Sequence, residues 1–230
     1  MKRQNGFTLL EIAISLLIIG FLLAGVLGPL STQMEQKERQ STQAQLDNIR
    51  EALLGFAITH GRLPCPDNSA TPGEEHPVGG AGGCTVSFGS LPYVTLGIPE
   101  FDAWREHFAY AVTANFADNV DGTGATATDA CGTATAGVSF ELCSVGDLNI
   151  INAVGGAVVS NVPVVVFSTG KHGTSVSSDQ SGDEQENSNG DKTFVYRDFS
   201  QAETAEFDDL MIWISPNILK NRMVQAGRLP

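Results

Sequence analysis

The stretch FTLLEIAISLLIIGFLLAGVLGPL, Phe7 to Leu30, decides how the rest of the chain is read. Its 24 residues carry one charge, Glu11. As a helix rising about 1.5 Å per residue it spans roughly 36 Å, enough to cross a bilayer core of about 30 Å with some tilt. The six residues before it include Lys2 and Arg3, and positive charge on that side favours a cytoplasmic N-terminus. An ordinary secretory signal has an apolar core of about 7–15 residues and a small-residue cleavage site. Ala24-Gly25 offers small residues, but the run is longer than such a core and carries a glutamate. A carboxylate in an apolar span is costly and marks a functional position. No basic residue in the stretch can pair with Glu11, so its partner is expected on another molecule.

Gly28-Pro29 closes the apolar run, and proline's missing N–H predicts a kink or local unwinding over 25–29. Helical periodicity continues beyond it. Leu46, Ile49, Leu53 and Phe56 recur at spacings of three and four, with Asp47, Asn48, Arg50 and Glu51 between them. That is one apolar stripe on a surface helix. Glu35 and Arg39 stand at i, i+4, where opposite charges support a helix. Gly61 supplies a C-terminal stop, so the helix is expected to end near Thr59. The first half suits lipid or a filament core, and the second suits packing on a globular domain. A coiled coil is the alternative for the second half, although its stripe is short.

Gly6-Phe7-Thr8-Leu9-Leu10-Glu11, behind a short basic leader and ahead of an apolar helix, resembles the processing site of type IV prepilins and type II secretion pseudopilins. The resemblance implies that a membrane-embedded prepilin peptidase cuts between Gly6 and Phe7 and that Phe7 is then N-methylated. It implies that Glu11 pairs with the N-terminal amine of a neighbouring subunit as a filament grows. The implied partners are the peptidase, other copies or related pilin subunits, and an inner-membrane assembly platform. The implied location is the inner membrane, single-pass, with the N-terminus cytoplasmic and the C-terminal domain periplasmic, and then an extracytoplasmic filament. The corresponding division is leader 1–6, transmembrane or filament-core helix 7–30, amphipathic continuation 31–60 and globular periplasmic β-rich domain 61–230. The expected function is that of a structural subunit of a type IV pilus-like or type II secretion filament. The alternative is a membrane-tethered periplasmic binding module that presents an acidic loop to calcium or a partner and never polymerises.

The formal charge of −13 argues against broad binding to nucleic acid or anionic lipid. Few aromatic residues and 25 glycines point to a loop-rich β domain rather than a helical bundle. The expected fold is α+β, a long N-terminal helix packed on a mainly antiparallel sheet, which resembles the pilin architecture. Cys65, Cys84, Cys131 and Cys143 all lie beyond the apolar run, and an even count in an exported domain favours disulfides. Of the three connectivities, Cys65–Cys84 with Cys131–Cys143 closes two local loops.

Residues 62–90 read as loop, and 91–97 as one helical turn opened by Pro92. Strands are expected at 108–112, 138–142, 155–159, 163–167, 193–196 and 210–214. Pro163-Val164-Val165-Val166-Phe167 is apolar on both faces and therefore central. Ser215-Pro216 opens a terminal helix whose Ile218, Leu219 and Met223 face the sheet. Asp102, Trp104 and Tyr110 resemble the Asp-Pro-Trp-Gly…Tyr stretch of major pseudopilins, with Ala103 and Arg105 departing from it. Residues 175–191 read as a solvated loop. The resemblance to major pseudopilins implies calcium in a C-terminal loop, and oxygen-only Asp179, Asp183 and Asp191 are the candidate ligands here. His60, His76, His107 and His172 belong to no HExxH motif, and no GxSxG nucleophile occurs. No catalytic residues are expected, and the chain reads as a non-enzyme.

Overall fold

A computed structural model describes residues 8–67, 71–76, 83–118, 137–173, 182–200 and 206–230, with the backbone alone for 23–31. The chain forms two compact units, Met1–Gln40 and Ser41–Pro230. The first helix, α1 (Leu9–His60), contributes to both. In the first unit its apolar residues over 9–22 are exposed, with Leu9, Leu10, Leu16, Leu17, Phe21 and Leu22 each at least 60% accessible. No helix among the described residues is long and apolar enough to cross a membrane. The span expected over 7–30 includes Phe7 and the side chains of 23–30, which lie outside the described residues. The helix is unbroken through Pro29, so the expected local unwinding does not occur. A proline withholds one backbone donor, and the bonds of the flanking turns carry the helix past it.

In the second unit the predicted stripe is the buried one. Leu46, Ile49, Leu53 and Phe56 are all buried, joined by Leu54 and Ala57. Each fully buried leucine or isoleucine contributes about 1.5–3 kcal/mol relative to leaving it in water. The helix ends one residue past the expected point, at His60. Gly61 follows with φ of 72°, and its N–H reaches back to the carbonyl of Ala57 at 2.8 Å. A Cβ at Gly61 would lie 1.8 Å from the carbonyl oxygen of Gly137, so this stop is closed to any side chain.

Among the described residues seven strands form two sheets. β1 (Phe88–Ser90), β2 (Ala109–Val112), β5 (Val164–Ser168) and β7 (Leu210–Ile214) lie in the order β1-β2-β5-β7, all neighbours antiparallel. β3 (Leu148–Ile151), β4 (Ala157–Val162) and β6 (Thr193–Val195) form the other, in the order β4-β3-β6. There β3 and β6 run parallel, the one exception to the antiparallel pattern among the named strand pairs.

β5 is central and wholly buried, as its apolar run predicts. Val164 and Val166 join the α1 core with Tyr110, Val112, Ile212 and Ile214. Val165 and Phe167 point the other way, into a second core with Leu148, Ile150, Val162 and Phe194. Period-two alternation thus places helix on one face of β5 and the smaller sheet on the other. Short helices complete the unit: α2 (Tyr93–Leu96), α3 (Ala114–Ala117), α4 (Gly182–Ser188) and α5 (Pro216–Gln225). α5 buries Leu219 and Met223, but Ile218 is half exposed and does not face the sheet.

Two sequence expectations are corrected here. Residues 138–142 form no strand; Val138 and Phe140 are buried, while the Ser139 N–H bonds to the Gly61 carbonyl at the helix end. The alternation was real, but among the described residues no strand pairs with it, and a turn closes at once through Glu141 and Ser144. Residues 182–188 of the supposed solvated loop are α4, which buries Glu184 and Asn187.

Candidate functional site

Thr8 stands immediately before α1, and its hydroxyl accepts the Glu11 N–H at 3.2 Å. This is half of the reciprocal Thr-x-x-Glu capping arrangement, and a carboxylate in the first turn also suits the positive end of the helix dipole. Sequence reasoning missed this local role, although the spacing of Thr8 and Glu11 carries it. Glu11 is exposed, and its carbonyl accepts the Ser15 hydroxyl at 2.8 Å. Gly6 and Phe7 lie outside the described residues.

Cys65 and Cys84 form the expected disulfide, 19 residues apart. Its loop is anchored by Arg62, whose guanidinium meets both oxygens of Glu75 at 2.7 and 2.8 Å; Glu75 also accepts the Cys65 N–H at 3.1 Å. Cys143 is also in a disulfide, and Cys131 lies outside the described residues.

Asp102, Trp104 and Tyr110 each have a structural post. Asp102 is buried, and its Oδ1 accepts the N–H groups of Trp104 and Glu106 at 2.8 and 2.9 Å. Its Oδ2 accepts the Ser168 hydroxyl at 2.5 Å, tying the turn to the end of β5. Tyr110 is buried with its hydroxyl donating to the Pro64 carbonyl at 2.8 Å, and burial raises its pKa.

The calcium candidates are placed apart from one another in role. Asp183, in the first turn of α4, bonds to the Arg197 guanidinium. Asp191 accepts the Thr193 N–H at 2.6 Å at the start of β6. Asp179 lies outside the described residues. Among the described residues a different set brings three metal-capable side chains together: His172, Glu184 and Asp208, with one ligand atom from each within 4.8 Å of the others.

Three segments build that set. His172 sits in the turn after β5, Glu184 on α4, and Asp208 just before β7. Asp208 Oδ2 accepts the N–H groups of Lys171 and His172 at 2.8 and 3.2 Å, and the Asp208 N–H donates to Glu184 Oε1 at 3.1 Å. Gly170, at φ of 60°, lets the turn press on Asp208; a Cβ there would lie 2.4 Å from the carboxyl carbon. Burial pushes the Asp208 carboxyl up to about 6, against the opposing pull of His172 and with Glu184 adding to the rise. Burial likewise raises Asp209 well above the carboxylate range, and its Oδ2 accepts an N–H from Asn187 at 2.7 Å. Asn187 also bonds both ways to the backbone of Val195, at 2.6 and 3.1 Å. Sequence reasoning missed this cluster because its members are far apart in the chain; only a histidine two after Gly170 and an acidic pair before β7 hinted at it.

The prokaryotic N-terminal methylation motif matches residues 1–27. The type II secretion system core protein G of Klebsiella pneumoniae is 36% identical over 64 residues, which cover 28% of this chain. The match spans 46% of that protein, so the chain covers about half the length of the curated relative. No solved structure matches the chain.

Proposed function

We propose that the chain is a structural subunit, cut between Gly6 and Phe7 by a prepilin peptidase and polymerised through its N-terminal helix. The observation that carries this is the start of α1, whose apolar side chains among residues 9–22 are exposed and which lies within the residues matched by the methylation motif. Such a surface is stable only in lipid or among other helices. In the inner membrane it is held as an anchor, with the domain of Ser41–Pro230 outside; in the filament it packs against its copies or related subunits.

Glu11 has the position and the exposure for an intermolecular role. Its backbone N–H is satisfied by Thr8, while its carboxylate is exposed on the free chain. In a filament core that carboxylate meets the methylated amine of Phe7 on the next subunit, and the pairing offsets the cost of burying either charge alone. The partial identity to a type II secretion core protein favours a secretion filament over a surface pilus.

Mass spectrometry of the mature N-terminus is expected to find N-methylated Phe7. A chain beginning after Ala24 would overturn the reading. Glu11→Ala is expected to be cut and methylated as usual yet to yield few filaments. Normal filaments from that variant would refute the pairing while leaving the processing intact.

A further inference from the structure

We propose that His172, Glu184 and Asp208 form a binding site for a divalent transition metal of the zinc type, distinct from the acidic residues first considered for calcium. Three observations converge. A tetrahedral site with bonds of about 2.0–2.2 Å separates its ligand atoms by roughly 3.4 Å. His172 Nδ1 lies 3.2 Å from Asp208 Oδ2 and 3.7 Å from Glu184 Oε1, close to those edges.

Nδ1 is buried and makes no hydrogen bond, despite two carboxylate oxygens within that range. An N–H at Nδ1 would be aligned on one of them; a bare lone pair facing two carboxylates repels them unless a cation stands between. Asp208, itself almost wholly buried, also leaves Oδ1 without a partner. The other ring nitrogen supplies the third observation. Nε2 lies 3.4 Å from Glu206 Oε1, and a carboxylate there holds the proton on Nε2 and turns Nδ1 into a metal ligand. Glu206 is thus a positioning residue, and water fills the fourth position.

The imidazole decides the class of metal. Calcium takes oxygen ligands, whereas zinc and its neighbours take imidazole nitrogen with carboxylates. Bound there, the ion would staple the turn after β5, α4 and the strand lead-in before β7, three segments joined otherwise by hydrogen bonds. Its role would be structural, with all three protein ligands drawn from buried or nearly buried side chains.

The test uses the full chain in detergent, stripped with a chelator and titrated with Zn²⁺ by calorimetry. One equivalent is expected to bind at micromolar affinity or tighter and to raise the melting temperature by several degrees. His172→Gln is expected to weaken binding at least 100-fold, and Glu206→Gln about 10-fold. Co²⁺ in the unmutated chain is expected to give the visible absorption of a tetrahedral centre, a readout that holds even if a variant misfolds. Absence of Zn²⁺ binding, binding unchanged in a folded His172→Gln, or binding of Ca²⁺ in preference to Zn²⁺ would each overturn the site.

Discussion

Arg105 shows how one residue carries a constraint that its identity disguises. It is exposed and sits at φ of 70°, a conformation that costs a side-chain-bearing residue about 1–2 kcal/mol. The turn it closes is held by Asp102, which accepts two backbone N–H groups and the Ser168 hydroxyl. The Asp-Pro-Trp-Gly pattern that this stretch resembles has glycine where Arg105 stands, so the departure in sequence leaves a backbone that glycine would suit. Arg105→Gly is therefore expected to stabilise the chain by about 0.5–1 kcal/mol, after the greater freedom of glycine in the unfolded state is subtracted. Urea denaturation of the detergent-solubilised protein measures it, and a loss of stability would show that the arginine side chain contributes more than its conformation costs.

At the scale of elements, the segment after α1 is held by covalent and ionic means rather than by secondary structure. The Cys65–Cys84 bond and the Arg62–Glu75 pair converge on the Cys65 backbone, where Glu75 accepts the N–H. A loop of this size is worth about 3 kcal/mol when closed by a disulfide. Replacing Cys65 and Cys84 together by Ala is expected to cost about that much, read as a lower denaturation midpoint that reductant no longer shifts by way of this loop. An unchanged midpoint would mean that the Arg62–Glu75 pair and the buried Leu63 hold the segment alone.

For the whole molecule, the division into Met1–Gln40 and Ser41–Pro230 leaves both hydrophobic cores in the second unit. The buried stripe of α1 begins beyond the boundary, at Thr42 and Leu46, and both hydrophobic cores are built from residues after it. A chain beginning at Ser41 is expected to be soluble without detergent and to melt within a few degrees of the full chain, with the circular dichroism of a folded α+β protein. A molten or aggregated fragment would show that the first forty residues are needed to fold the rest.

Local pattern was enough for much of this. The apolar run, the basic residues ahead of it and Glu11 are legible because their chemistry is contiguous. The stripe of Leu46, Ile49, Leu53 and Phe56 is legible because a helix repeats every 3.6 residues whatever it packs against. β5 announced its central place by being apolar on both faces, and Cys65 and Cys84 paired because they are near neighbours in the chain. Tertiary structure decided the rest. Val138 and Phe140 alternate like a strand yet pair with none among the described residues, since a strand exists only where a partner edge is free. β3 and β6 meet in parallel across about forty residues of chain, a pairing that no local window contains. His172, Glu184 and Asp208 come from three segments whose approach depends on the turn at Gly170 and the burial of α4. Periodicity is a property of neighbours in sequence, while sheet order and side-chain clusters are properties of neighbours in space.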